Sequence, residues 1–201
     1  MTAAPARIFH HRRNTASLLA ETPTAFGVEI DIRCRGDRLV VTHDPFTEGP
    51  ELAEWLRGYR HGGIIANVKE EGLEKYVIDV FAAAGVSDFF FLDQSFPFMR
   101  RWAKAGEKRA AVRISEEESI DTALRLGGLV DWVWVDCFDR FWLSESDARR
   151  LISVGLRLCL VSPELQGRMD GAEIVEARAA FGRWRLPLHA VCTKTPERWL
   201  S

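Results

Sequence analysis

The sequence lacks a hydrophobic segment long enough to cross a membrane. No run of about 18 apolar residues occurs anywhere in the chain. The first residues, MTAAPARIFHHRRN, do not contain the apolar core of a signal peptide. We therefore expect neither export nor a transmembrane segment.

Closely spaced cysteines are also absent. The four cysteines lie far apart and form no C-x-x-C pair: Cys34, Cys137, Cys159 and Cys192. This spacing favours reduced, buried thiols over a zinc site or a disulfide scaffold. A cytoplasmic location is the simplest expectation.

An excess of positive charge is missing as well. The 27 Lys and Arg residues are outnumbered by 29 Asp and Glu residues, which gives a formal net charge of -2. No basic surface for nucleic acid or an anionic membrane is therefore expected, although local sites for a small anion are compatible with this composition. The oligomeric state is left open.

Short apolar runs typical of strands alternate with runs typical of helices, and no linker, repeat or low-complexity segment interrupts them. The predicted strands are residues 7–11, 28–32, 64–68, 89–92, 110–114, 132–135, 156–161 and 190–193. The predicted helices are residues 51–60, 71–84, 98–105, 117–126, 145–154 and 172–181.

This alternation predicts a parallel sheet, and eight strands favour a small (β/α)8 TIM barrel. A flavodoxin-like or Rossmann sheet is the structural alternative, but no G-x-G-x-x-G motif follows the first strand. With 201 residues, of which 47% are hydrophobic, one domain over residues 1–201 is expected.

The stretch 27–45, GVEIDIRCRGDRLVVTHDP, combines two carboxylates with a histidine. Glu29 and Asp31 are two residues apart in a strand, so their side chains leave it on the same face. A tight turn at 36–37 then predicts a β-hairpin that returns the chain to His43. Such a group suits a divalent metal with an acid/base residue nearby. The alternative is a partly exposed hairpin with ordinary surface charges.

Active sites of TIM barrels form where the strands end, and each predicted strand ends in polar residues. These residues are His11, Arg12, Glu29, Asp31, Asn67, Lys69, Asp93, Arg113, Asp136, Glu164 and Lys194. Eight such ends with acids, histidines and cations indicate a metal-and-anion site. For Arg113 we expect phosphate binding or an ion pair with Asp93 or Asp136 equally; for Lys194 a substrate-binding role is slightly favoured.

The motifs HRRNT, E-x-D, H-D and N-V-K resemble, in order and spacing over residues 8–69, the glycerophosphodiester phosphodiesterase family. The family pattern is HR-G, N-T, E-x-D, HD and E-x-K. The resemblance implies a TIM barrel that binds a divalent cation, usually Ca²⁺ or Mg²⁺, and cleaves a small phosphodiester with two histidines.

The resemblance also implies roles for individual residues. His11 and His43 correspond to the acid/base pair, with His11 expected as the base and His43 as the acid. Glu29 and Asp31 correspond to metal ligands. Lys69 and Arg12 match the family's lysine and arginine beside the phosphate, so both are expected to bind substrate. His10 should point the opposite way from His11 along the strand.

Two positions depart from the family pattern. Arg13 stands where the family has Gly, which requires a different path for the first loop. Asn67 replaces the glutamate of E-x-K, so the third metal ligand is expected to be a weaker, uncharged oxygen donor.

Three functions therefore remain. The first is a metal-dependent phosphodiesterase acting on a glycerol-, sugar- or lipid-derived diester, and the histidine pair favours it. The second is another TIM-barrel metalloenzyme, such as a sugar isomerase. The third, prompted by Asn67 and Arg13, is a barrel with weakened catalysis that binds a phosphorylated ligand.

Overall fold

The computed structural model describes residues 5–200. Its strands are β1 Arg7–His10, β2 Gly27–Arg35, β3 Arg38–Val41, β4 Ile64–Val68, β5 Phe89–Leu92, β6 Ala111–Ile114, β7 Trp132–Val135, β8 Arg157–Val161 and β9 Ala190–Thr193. Its α-helices are α1 Ala16–Glu21, α2 Leu52–Trp55, α3 Glu74–Ala83, α4 Phe96–Lys104, α5 Ile120–Arg125, α6 Glu145–Ser153 and α7 Ala172–Trp184. Short 3₁₀ helices cover Leu56–Gly58, Pro163–Gln166 and Pro196–Trp199.

The fold class is the predicted (β/α)8 barrel, with a β-hairpin extension after the second strand. The hairpin is formed by β3, which pairs antiparallel with β2. Its turn uses Gly36 in the left-handed region, with φ 63°. The flavodoxin-like alternative is wrong. No helix within residues 5–200 is both long enough and apolar enough to span a bilayer.

The chain's internal contacts divide it into two units. One unit is Phe9–Ala105, and the other combines the chain up to Ile8 with everything from Gly106 onwards. The strand β1 contributes residues to both units.

In the unit Phe9–Ala105, the strand order is β5-β4-β2-β1, and these neighbours are parallel. Alternate residues of β2 face opposite sides, and both sides are buried, as expected of a parallel strand covered on two faces. Ile30 and Ile32 are fully buried on one side, whereas Glu29 and Asp31 are buried on the other. Asn67 of β4 is the direct register partner of Asp31. The register therefore places the predicted third metal ligand beside the second.

In the other unit, β9, β8, β7 and β6 form a parallel series. The Arg7 amide at the start of β1 donates to the His189 carbonyl just before β9. Helix α7 packs aromatic rings against the loop before α6, where Phe141 stacks on Trp184 with ring centroids 6.1 Å apart. Buried aliphatic and aromatic side chains of the strands form the core.

The helix boundaries show how local capping decides where a helix begins. Ser144 caps α6 by accepting a hydrogen bond from the Asp147 amide, as its S-x-x-D spacing predicts. Ser115 accepts from the Glu118 amide in a similar way, but within a separate turn. The helix predicted from residue 117 begins later, at Ile120, because Ser119 is its N-cap. The short α1, capped by Thr15, was not predicted.

His189 provides a testable pH dependence of stability. Its Nδ1 accepts a hydrogen bond from the Leu158 amide at 3.1 Å, which requires an unprotonated Nδ1. Burial, and then the charge of Arg157, lower the pKa of His189 below its usual value of 6.5. Protonation therefore favours the unfolded chain, so stability is lost as the pH falls through about 6.5 towards the lower folded pKa.

We expect protonation of His189 to lower the free energy of unfolding by up to about 1.4 kcal/mol for each pH unit below about 6.5. Urea denaturation at pH 7.5 and 5.5 measures the loss in the native protein and in His189→Asn. The variant retains a hydrogen-bond acceptor at this position but does not titrate. Its free energy of unfolding should therefore fall less between the two pH values. An equal loss in both proteins would assign the acid sensitivity to other groups.

Candidate active site

The loop after β1 is fastened to β2 by backbone hydrogen bonds. The Arg12 amide donates to Glu29 Oε2 at 2.7 Å, and the Arg13 amide donates to the Glu29 carbonyl at 2.8 Å. The indole of Trp55, in α2, donates a hydrogen bond to the Arg13 carbonyl at 2.9 Å, so α2 also holds this loop. The Nε atom of Arg13 donates a hydrogen bond to the His11 carbonyl oxygen at 3.0 Å. Arg13, which stands where the pattern of the similar family has glycine, thus helps to hold this loop.

Two carboxylates form the buried base of the site. Glu29 and Asp31 are 1% and 0% exposed, which is rare for acids without strong partners. Glu29 Oε1 accepts a hydrogen bond from Asn67 Nδ2 at 3.2 Å. The Nε atom of Arg12 lies 3.7 Å from Asp31 Oδ2. Backbone, amide and guanidinium donors therefore surround the two acids.

Asn14 is a site residue that the sequence reasoning missed. Its Nδ2 donates to Asp31 Oδ2 at 2.8 Å, and its Oδ1 accepts from the Asp31 amide at 3.0 Å. These two bonds fix the carboxylate relative to its own backbone. The signal for it in the sequence was the N-T pair that follows HRR.

The buried acids repel each other. Burial, followed by the negative charge of Asp31, raises the pKa of Glu29 well above its usual range. The Arg12 amide, the Lys69 ammonium and the Asn67 amide act in the opposite direction. A cation bound beside the two acids would relieve this repulsion, because opposite charge favours the ionised form.

The two predicted catalytic histidines both reach this cluster. His11 Nε2 lies 3.8 Å from Glu29 Oε2, and its side chain is 15% exposed. His43 Nε2 contacts the guanidinium of Arg12. His10 lies elsewhere, with its Nδ1 3.5 Å from Thr22 Oγ1. Of the adjacent histidines, His11 therefore belongs to the cluster.

His43 is oriented by the residue that follows it. Its Nδ1 lies 2.7 Å from Asp44 Oδ1, and this hydrogen bond lowers the pKa of Asp44. A carboxylate at Nδ1 fixes the orientation of the imidazole and leaves Nε2 as the reactive nitrogen. The side chain of His43 is 37% exposed, so a substrate can reach it.

Lys69 connects the carboxylates to the next strand. Its Nζ lies 3.1 Å from Asp31 Oδ1 and 3.6 Å from Asp93 Oδ2. Asp93, directly after β5, has a left-handed backbone with φ 59°. The predicted phosphate-binding lysine is therefore paired with a candidate metal ligand.

The remaining predicted substrate-binding residues belong to the other unit. Arg113 forms an ion pair with Asp136, with 3.3 Å between Nη1 and Oδ2. Arg113 was expected either to bind phosphate or to form an ion pair with Asp93 or Asp136, and the structure shows the pair with Asp136. Lys194 is exposed, and its backbone amide donates to Glu164 Oε1 at 2.9 Å.

The residues present fit a divalent cation. Glu29 and Asp31 supply buried carboxylate oxygens, and Asn67 Oδ1 is buried without a hydrogen-bond partner. Oxygen donors of these kinds suit Mg²⁺ or Ca²⁺. Within residues 5–200, however, no group of three His, Cys, Asp or Glu side chains is arranged to hold a metal. A cation bound here would have two carboxylates and one amide oxygen as its protein donors.

Comparison with solved structures identifies proteins of the same fold. A glycerophosphodiester phosphodiesterase from Agrobacterium tumefaciens str. C58 matches with TM-score 0.70 and 17% identity, over 98% of this chain and 100% of that chain. A provisionally assigned glycerophosphoryl diester phosphodiesterase from the same organism has TM-score 0.69 and 15% identity, over 96% and 95%. A mutant tryptophan synthase α-subunit from Pyrococcus furiosus has TM-score 0.58 and 10% identity, over 96% and 88%.

Comparison by sequence finds no matching family and no matching curated protein. At the identities above, the structural similarity shows the fold alone. The predicted resemblance to the glycerophosphodiester phosphodiesterase family is confirmed at that level. Since the tryptophan synthase subunit is also similar, the activity has to be argued from the site. The chain is thus a (β/α)8 barrel similar to glycerophosphodiester phosphodiesterases.

Proposed function

We propose that this protein is a metal-dependent phosphodiesterase that uses two histidines as acid and base on a small glycerol-, sugar- or lipid-derived diester. The observation that carries the proposal is the position of Arg12. Its backbone amide holds Glu29, which neighbours His11, and its guanidinium lies at both Asp31 and His43. One residue therefore connects both histidines with both carboxylates.

The cations at this cluster suit a phosphate. Arg12 is 44% exposed, and a guanidinium binds phosphate oxygens through paired N–H groups. Lys69 supplies a second positive charge beside the same carboxylates. A divalent cation held by Glu29, Asp31 and Asn67 would neutralise the charge that grows on the phosphoryl oxygens. The carboxylates themselves repel the diester, so the cations determine whether it binds.

His11 is proposed as the base. It accepts a proton from water or from a neighbouring hydroxyl of the substrate, and the freed oxygen forms a new bond to phosphorus. Glu29, 3.8 Å from His11 Nε2, stabilises the protonated imidazole when it is itself ionised. This proton transfer contributes about 10²–10⁴-fold to the rate.

His43 is proposed as the acid. It donates a proton from Nε2 to the departing alkoxide as the phosphorus–oxygen bond to that group breaks. Asp44 holds the opposite nitrogen, Nδ1, which leaves Nε2 as the nitrogen that transfers the proton. Binding of a phosphate anion to Arg12 draws the guanidinium from Nε2, which leaves that nitrogen available for its proton.

Hydrolysis of bis(p-nitrophenyl) phosphate tests the proposal directly. We expect release of p-nitrophenol that increases with added Mg²⁺ or Ca²⁺ and is lost on addition of EDTA. Excess Mg²⁺ or Ca²⁺ should restore the rate, because the protein ligands remain intact. Sugar turnover without hydrolysis would favour the isomerase, and phosphate binding without any turnover would favour the ligand-binding barrel.

A further inference from the structure

A pocket lies beside the candidate active site, where β4 and β5 end. Its volume is about 250 Å³, and it is lined by the loop after β4, the start of α3 and the loop before α4. Lys69 and Asp93, which pair with each other at 3.6 Å, line this pocket as well. A group attached to a phosphate at Lys69 is therefore positioned to enter it.

Glu74, at the start of α3, is buried in the wall of this pocket. Only 1% of Glu74 is exposed, and its Oε1 accepts a hydrogen bond from Gln94 Nε2 at 3.0 Å. Its Oε2 is buried without a hydrogen-bond partner. In the described part of the chain, no Lys, Arg or His nitrogen forms an ion pair with this carboxylate. Such burial is costly unless a ligand completes the contacts.

Two neighbouring residues present further unpartnered oxygens. The Gln94 amide is oriented by its donation to Glu74, so its other end is the carbonyl acceptor Oε1. Both Gln94 Oε1 and Ser95 Oγ are buried without a partner. Together with Glu74 Oε2, the residues that line the pocket therefore hold three buried oxygens without hydrogen-bond partners.

The charge of the lining limits what the pocket can bind. Glu70, Glu71, Glu74 and Asp93 provide four carboxylates against the single ammonium of Lys69, and the charge of Glu70 is offset by Arg33 at 3.4 Å. An anion is therefore disfavoured. A divalent metal suits this pocket less well than the active site, because only one of its three unpartnered oxygens, that of Glu74, belongs to a carboxylate. No aromatic ring lines the described pocket, so a quaternary ammonium lacks its usual contacts.

We infer that this pocket binds a primary ammonium group carried by the alcohol part of the substrate. A primary ammonium has three N–H donors, which match the three unpartnered oxygens of Glu74, Gln94 and Ser95. Its positive charge would also form an ion pair with the buried carboxylate of Glu74. The inference rests on the proposed phosphodiesterase function, because it takes the phosphate at Lys69 as the point of attachment.

Calorimetric binding of two phosphate monoesters tests the inference. The probes are 2-aminoethyl phosphate and 2-hydroxyethyl phosphate, which have similar size and differ in the ammonium. The native protein should bind the amine at least about tenfold more tightly, because a charge-assisted hydrogen bond to a buried carboxylate is replaced by a neutral one. Glu74→Gln should remove this preference by weakening the amine alone.

Asp79→Asn is the matched control, since Asp79 lies on the same helix and is 58% exposed. It removes one negative charge outside the pocket and should keep the native preference. Should Glu74→Gln fail to fold, Ser95→Ala removes one acceptor and should reduce the preference in part. Equal binding of the two probes by the native protein, or binding of neither, would overturn the inference.

Hydrolysis of bis(p-nitrophenyl) phosphate separates this inference from the proposed function, because that diester carries no amine. Hydrolysis together with equal affinity for the two probes rejects the ammonium pocket alone. Selective binding of the amine without hydrolysis of any diester supports the pocket and rejects the phosphodiesterase.

Discussion

Replacing either His11 or His43 with alanine is expected to lower diester turnover by about 10²–10⁴-fold, the usual contribution of a positioned acid or base. The fall should appear in kcat, because proton transfer belongs to the chemical step. Neither ring is among the proposed metal ligands, so binding of Mg²⁺ or Ca²⁺ should stay close to native. Steady-state kinetics with a dialkyl phosphodiester, whose alkoxide leaving group needs a proton, and calorimetric metal titration measure the two effects.

His10→Ala is the matched control for this prediction. His10 is adjacent to His11 in the chain but contacts Thr22, outside the carboxylate cluster. Its replacement should leave kcat within a few-fold of native. Native turnover by both the His11 and His43 variants would show that the acid/base assignment is wrong, and a large loss in His10→Ala alone would move the role to that residue.

Replacing Asp31 with asparagine is expected to remove metal binding and turnover together. Asp31 is fully buried, and its carboxylate is both a proposed metal ligand and the partner of Lys69. Cation affinity depends on the number of charged ligands, so the metal dissociation constant should rise at least about tenfold. Calorimetry with Mg²⁺ and with Ca²⁺ measures it, alongside hydrolysis at saturating metal.

Asn67→Glu is the opposite change at the same site. It restores a third carboxylate beside Asp31 and should tighten metal binding by about tenfold. Activity need not rise in proportion, because the added charge also repels the substrate phosphate. If Asp31→Asn bound either cation as tightly as the native chain does, the cation would have to bind elsewhere.

Much of the fold follows from features that are local in the sequence. Apolar runs bounded by glycines and polar strand ends define the strands, and the turn at Gly36 defines the hairpin. The grouping of Glu29, Asp31 and Asn67 follows from side-chain alternation and from parallel register, both of which have a fixed period. These parts of the site were therefore predictable.

Other parts depend on contacts between distant segments, which no local pattern encodes. Asn14 reaches Asp31 because the loop after β1 folds over β2, and the sequence alone did not specify the path of that loop. Glu74 and Gln94 are 20 residues apart, and their contact depends on the start of α3, which lies three residues later than predicted. Loop paths and helix starts are set by tertiary packing, so their side chains were missed.

The left-handed residues have a consequence for how this chain tolerates change. Within residues 5–200, four residues other than glycine have positive φ: Arg12, Phe46, Asp93 and Arg185. Arg12 and Asp93 contact the carboxylate cluster or its lysine, and Phe46 lies three residues after His43. Each such backbone costs roughly 1–3 kcal/mol relative to a relaxed one.

Glycine at Arg12 or Asp93 would relieve that strain while removing a charged group from the site. Selection for thermal stability alone would therefore favour glycine at these two positions, and at Arg12 it would also remove the guanidinium that we propose binds phosphate. Stability and the proposed activity thus make opposing demands on the backbone position of Arg12.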